Sequence, residues 1–261
     1  MTVLPEYDNP PINEVGLGCR FVPIAALTLP LVGAFWASIR KDFPHTEHAI
    51  PVGDATGNVV LDEKTNLPWP RIWLLSENRD KLIQIQRDRF VLNWRRKVDG
   101  GEYPRYPHLI QEFTSNLDRF VKFLEDDCEK SDIAVESCEA TYVNHIVLDG
   151  PLEDMGMLPA QIFNGNSWLL PSDLGTPTGF NWINVYQLAD GLGQLTIRAA
   201  PARMVEDRKP VLVLELNVQG NPSESGPDAM KQWFGRAHDV IVRGFSSITS
   251  PDIQRSLWGR K

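Results

Sequence analysis

Between Arg71 and Arg96 apolar and polar side chains alternate with a period of two, in three short runs separated by turn signals. Ile83 and Ile85 alternate with Leu82, Gln84 and Gln86, and Phe90, Leu92 and Trp94 alternate with Val91, Asn93 and Arg95. A period of two belongs to strands, whose successive side chains leave on opposite faces. The breaks fall at Glu77-Asn78-Arg79-Asp80 and at Arg87-Asp88, too short for anything but antiparallel connections, so a three-stranded meander is predicted. Its apolar face needs a cover, and the next segment supplies one. Leu109, Phe113, Leu117, Phe120, Val121 and Leu124 recur at helical spacing from Pro107 to near Asp127, with Glu112, Asn116, Asp118 and Lys122 on the other side.

The rest of the chain extends the pattern. Val15, Leu17, Cys19 and Phe21 alternate with Glu14, Gly16, Gly18 and Arg20 in a strand over Ile12 to Val22. Thr28 and Pro30 open a helix that carries Val32, Phe35, Trp36 and Ile39 and stops at Phe43-Pro44. His45 to Pro70, rich in Pro and Gly, reads as a long loop with one short strand at Asn58 to Leu61. The second half follows the same order: a strand over Ser137 to Leu148, a short helix over Leu152 to Phe163, a loop over Asn164 to Gly179, and strands over Trp182 to Leu188, Gln194 to Ala199 and Val211 to Val218. Pro227-Asp228 opens a last long helix with Met230, Trp233, Phe234, Ala237, Ile241, Phe245 and Ile248 on its apolar side, and Ser250-Pro251-Asp252 opens a tail helix.

Residues 1–130 and 131–261 each read as strand, helix, three-strand meander, helix. The expectation is an α+β fold in one compact domain: two pseudo-repeated units joined in a curved antiparallel sheet, covered by two long helices. That arrangement resembles TATA-binding-protein-like and helix-grip folds, which host many functions and imply none by themselves.

Composition narrows the function classes. The 261 residues carry 26 Lys plus Arg against 34 Asp plus Glu, a net charge of −8, which disfavours nucleic acid as the main partner. No apolar run reaches the roughly 20 residues of a membrane span and no leader-like segment opens the chain, so a cytoplasmic location without membrane contact is expected. Three scattered cysteines make neither a disulfide framework nor a zinc site.

Phosphate-binding, dinucleotide, nucleophile-elbow and zinc-protease signatures are all missing, so no cofactor, metal or catalytic residue is assigned and the enzyme question stays open, leaning against. His45 and His48 flank Glu47 but lie between Pro44 and Pro51 with no further ligand cluster. Arg40 and His45 make an Arg-x4-His spacing with Pro44 inside it, and Glu215 and Asn217 lie where a metal-dependent nuclease would want Lys at the third position; both read as structural. The densest unusual text runs from Gln86 to Tyr106, where arginines interleave with aromatic residues, as suits stacking, bidentate gripping of anions or an interface hot spot. Candidate binding residues are Arg89, Asn93, Trp94, Arg95, Arg96, Tyr103, Arg105 and Tyr106, joined by Tyr142 and Asn144 from the second half. The bland alternative is an exposed strand edge whose arginines pair with Glu125, Asp126, Asp127 and Glu129.

Several segments together resemble a sporadically distributed family of uncharacterised bacterial and archaeal proteins of this length. They are Asn9 to Val15, Gln86 to Arg95, Tyr103 to Tyr106, Tyr142 to Ile146, and Ala237-His238-Asp239 through to Trp258-Gly259. The resemblance spans nearly the whole chain and supplies no activity, substrate or catalytic residue; the patchy distribution implies an accessory gene of the toxin-neutralising or phage-defence kind. Two functions follow as expectations. The first is a non-enzymatic interaction protein that docks a protein partner encoded nearby through the surface around Asn93 to Tyr106, with a homodimer through a meander edge also open. The alternative is a ligand-binding or catalytic domain with a pocket between sheet and helices, lined by Trp94, Tyr142, Asn144 and Trp182.

Overall fold

The computed structural model describes residues 3–53, 57–62, 65–97, 100–128, 133–147, 162–163, 179–204, 207–224 and 226–261. The fold is α+β, with nine strands in one antiparallel sheet and four helices among the described residues. In chain order these are β1 (Ile12–Phe21), α1 (Leu29–Ile39), β2 (His45–Ala49), β3 (Arg71–Leu75), β4 (Lys81–Gln86), β5 (Arg89–Arg95) and α2 (Arg105–Cys128). There follow β6 (Val135–Ile146), β7 (Trp182–Gln187), β8 (Gln194–Arg203), β9 (Pro210–Gly220), α3 (Pro227–Ile248) and α4 (Pro251–Ser256). The strand order is β2-β3-β4-β5-β1-β6-β9-β8-β7, so β1 and β6 pair at the centre and each predicted meander flanks one of them.

The predicted helix over Leu152 to Phe163 and the loop from Asn164 lie almost wholly outside the described residues. His45 to Pro70 differs from expectation: its strand is His45–Ala49, at the sheet edge, whereas Leu61 makes only an isolated bridge to Pro68. The sequence His-Thr-Glu-His-Ala has no apolar alternation because an edge strand with half-buried and exposed positions needs none; pairing of Glu47 with Trp73 and its neighbours fixes it. The turn at Asp190-Gly191 forms where expected, both residues taking positive φ (54° and 68°) as a tight hairpin requires.

Among the described residues α1, α2 and α3 pack on one face of the sheet. Phe21, Phe90, Leu92, Cys19 and Leu17 point from the central strands towards α2, whose Phe113 and Phe120 meet Phe90 at 6.2 and 5.3 Å between ring centroids. Phe35 of α1 packs on Phe120 at 5.2 Å, and Phe234 of α3 packs on Phe113 at 5.0 Å, so one aromatic cluster ties three helices to the sheet. Fully burying a side chain of this size is worth roughly 1.5–3 kcal/mol, which makes the cluster the main anchor of the fold. The tail is fixed by polar and apolar means together: buried Gln254 of α4 donates to the carbonyls of Ser246 and Thr249 and accepts from Arg260 at 2.7 Å, while buried Trp258 packs on Phe245 at 4.9 Å.

Candidate functional site

Strand alternation divides the ten candidate residues between two places that the sheet keeps apart. Arg89, Asn93 and Arg95 share the face that none of the described helices covers, opposite Arg20, Gly16 and Glu14 of β1. Trp94 points the other way, is 5% exposed and packs on Tyr103 at 5.6 Å. The expectation of one continuous arginine and aromatic surface is therefore corrected: a period of two sends Trp94 into the core and its neighbours out of it. Arg96 is held by the backbone, donating to the carbonyls of Ile12, Pro10 and Gly101, and so closes the chain entry instead of reaching outward.

The face away from the described helices carries a side-chain network across four strands, β1, β3, β4 and β5, and much of it is closely packed, with Leu82, Gln84, Gln86 and Asn93 all buried. Glu14 accepts from Asn93 Nδ2 at 2.6 Å and from Arg95 Nε at 3.2 Å. Asn93 Oδ1 accepts from Gln84 Nε2 at 2.6 Å, and Gln84 Oε1 accepts from both Arg71 and Trp73 Nε1. The guanidinium carbons of Arg71 and Arg95 lie 5.4 and 5.0 Å from the Trp73 ring centroid, so the indole is pinned by two cations and a hydrogen bond. Gly16 leaves room for the Asn93 amide, since a Cβ there would stand 3.0 Å from Asn93 Nδ2. Beyond β6 the network resumes: Asn217 donates to Thr141 at 2.8 Å, and Arg198 pairs with Glu215 at 2.6 Å. Glu139, on the same face, has its carboxyl pushed above the ordinary range by burial, which outweighs the pull of Arg89. Sequence reading overlooked Trp73 and Arg71; their signal was a tryptophan two residues after an arginine, hence on the same strand face, in a run otherwise apolar.

On the helix side, Tyr103, Arg105, Tyr106, Tyr142 and Asn144 converge on a cavity of about 680 Å³ between the N-terminal segment, the start of α2, β6 and α3. His238 of α3 completes it. Its Nδ1 lies 2.9 Å from the Tyr142 hydroxyl, which lies 3.4 Å from that of Tyr103, and its ring stacks on Tyr106 at 4.1 Å with 5° between planes. Burial holds His238 neutral, with a pKa lowered to about 4 and only weakly opposed by Asp239. Burial likewise pushes Tyr103 up to about 12, and Tyr142 well above the usual phenol range. A neutral imidazole between hydroxyls is a relay of hydrogen bonds and carries no charge at neutral pH. Trp94 and Trp182 do not line this cavity: Trp182 sits on the far edge strand against Phe163.

No three His, Cys, Asp or Glu side chains among the described residues could together hold a metal ion, and no described helix is long and apolar enough to cross a membrane. Cys19 and Cys138 face each other across β1 and β6 as free, buried thiols, Cys138 raised to about 12 by burial. The chain matches no protein-family model and no curated protein.

Proposed function

We propose that this chain is a non-enzymatic interaction protein that docks a protein partner on the sheet face opposite the described helices, at Arg71, Trp73 and Arg95. The observation that carries the reading is the Trp73, Arg71 and Arg95 cluster: tryptophan and arginine, held rigid by Gln84 and Glu14, on a sheet face without a described helix over it. Such pairs are the residues that dominate interface energetics, and fixing them beforehand lowers the entropy lost on docking.

Charge argues for protein over nucleic acid. Arg20, Arg95 and Arg198 on this face each hold a carboxylate, at 2.9, 3.2 and 2.6 Å, so that among the described residues Arg71 does not belong to a run of unpaired cations able to follow a phosphate backbone. A second copy of the chain is the other candidate, favoured by Ile183 and Val185, each 54% exposed on the outermost strand β7. The mirrored placement of β1 with β6 and of the two meanders about them supports a pseudo-duplicated, TATA-binding-protein-like or helix-grip-like plan, in which one sheet face is reserved for binding. The resemblance to a patchily distributed family supports a partner encoded in a neighbouring accessory gene, and a cytoplasmic location is part of the same reading.

The test is copurification from the native host, with wild type beside Trp73→Ala and Arg95→Glu. A stoichiometric partner that both substitutions remove, with melting temperatures close to wild type, is the expected result. A partner retained by both variants overturns the assignment of this face.

A further inference from the structure

The helix-side cavity lies across the sheet from the proposed docking face, so what it binds is independent of that reading. Its walls are of three kinds. The Tyr106 and His238 rings, stacked face to face at 4.1 Å, line one side, and Ile12, Ile241 and Phe245 are among the apolar residues of the rest. Polar groups inside have capacity to spare: His238 Nε2 and Asn144 Oδ1 have no hydrogen-bond partner among the described residues, while Nδ1 and the Asn144 amide nitrogen are committed to Tyr142 and the Leu214 carbonyl. A cavity lined by an apolar majority with a few converging polar groups is the usual form of a small-molecule site.

The charged groups are what choose the ligand. Arg105 lines the cavity beside Tyr103, its guanidinium carbon 5.8 Å from that ring; one N–H is spent on the Tyr7 carbonyl at 3.0 Å, and no carboxylate among the described residues pairs with it. Its backbone is held at φ 65°, a left-handed conformation costly for a residue with a Cβ, at the first position of α2. Asp239 lines the same cavity on the Tyr106 side and pairs with no described cation, whereas Lys261 is already bound to Asp8 at 2.7 Å. Two carboxylates therefore line the cavity without a salt bridge, Asp239 and Glu6; with Glu6 drawn to Lys261, Arg105 and Asp239 are left to complement a molecule that carries both charges and a flat ring.

We propose that this cavity is a binding site for a free aromatic α-amino acid, its carboxylate on Arg105, its ammonium on Asp239 and its ring against Tyr106 and His238. The cavity falls inside the range of about 300–1,000 Å³ that holds such ligands.

The experiment is isothermal titration of the full chain with L-tryptophan, L-tyrosine and L-phenylalanine, beside tryptamine, indole-3-propionate and glycine. At least one aromatic amino acid binds; tryptamine, lacking the carboxylate, and indole-3-propionate, lacking the ammonium, bind roughly ten-fold or more weakly, as loss of a charge-assisted hydrogen bond dictates. Glycine, lacking the ring, does not bind. Arg105→Gln abolishes the preference over tryptamine, and Asp239→Asn the preference over indole-3-propionate. Arg105 is exposed and Asp239 only half-buried, so both variants should keep the wild-type melt, and Arg95→Glu, across the sheet, should bind like wild type. The proposal is overturned if none of the three amino acids binds at millimolar concentration, or if the charge-deleted analogues or the two variants match the parent.

Discussion

Asn93, Trp94 and Arg95 are adjacent in sequence, yet a substitution at each tests a different property. Trp94→Ala empties a buried site packed on Tyr103 and should cost about 3–5 kcal/mol in urea unfolding, where a surface residue would cost almost nothing. His238 gives the second residue-level prediction. Its folded pKa of about 4 lies below the 6.5 of the unfolded chain, burial being the cause. As pH falls below 6.5 the unfolded chain takes up a proton that the folded chain refuses until about 4. This residue therefore lowers stability progressively across that window, by on the order of 2–3 kcal/mol, and contributes no slope below it. The groups around it are Tyr106, Tyr142 and Asp239, and only Asp239 pulls the other way. His238→Phe keeps the stack on Tyr106 and removes the titration, so denaturant melts between pH 4 and 6.5 should lose this slope in the variant.

At the level of elements, β1 shows how tightly the face away from the described helices is built. A Cβ on Gly18 would stand 2.8 Å from Val91 Cγ2, so Gly18→Ala should destabilise by about 1–3 kcal/mol through overpacking, visible as a lower midpoint with unchanged slope in urea. The strands and long helices were legible in the sequence because each announces itself locally: period two in β4, β5 and β8, a 3.6-residue stripe in α2 and α3. The edge strand β2 was not, since His45–Ala49 carries no apolar alternation and is held by pairing with β3. The candidate site was legible only as a list of residues. That Asn93 and Arg95 face away from Trp94 follows from the same alternation and could have been read. That Tyr103 and Tyr142 meet His238 could not, because it depends on α3 crossing β6, a contact between residues 96 apart in the chain.

For the whole molecule, one sheet separates the two surfaces proposed for recognition. One face is packed by helices and encloses a cavity lined in part by aromatic rings, and the other presents a polar network ending in the Trp73 cluster. The separation lets either be altered without the other: Arg95→Glu should leave the cavity intact, and Arg105→Gln the docking face. The measurement that tests the account most directly is native mass spectrometry of the untagged protein from its own host, wild type against Trp73→Ala. The account predicts a stoichiometric protein partner on the wild-type chain and its loss from a variant that still melts cooperatively. A wild-type chain that runs without any partner protein, or a variant that keeps the partner, would contradict it.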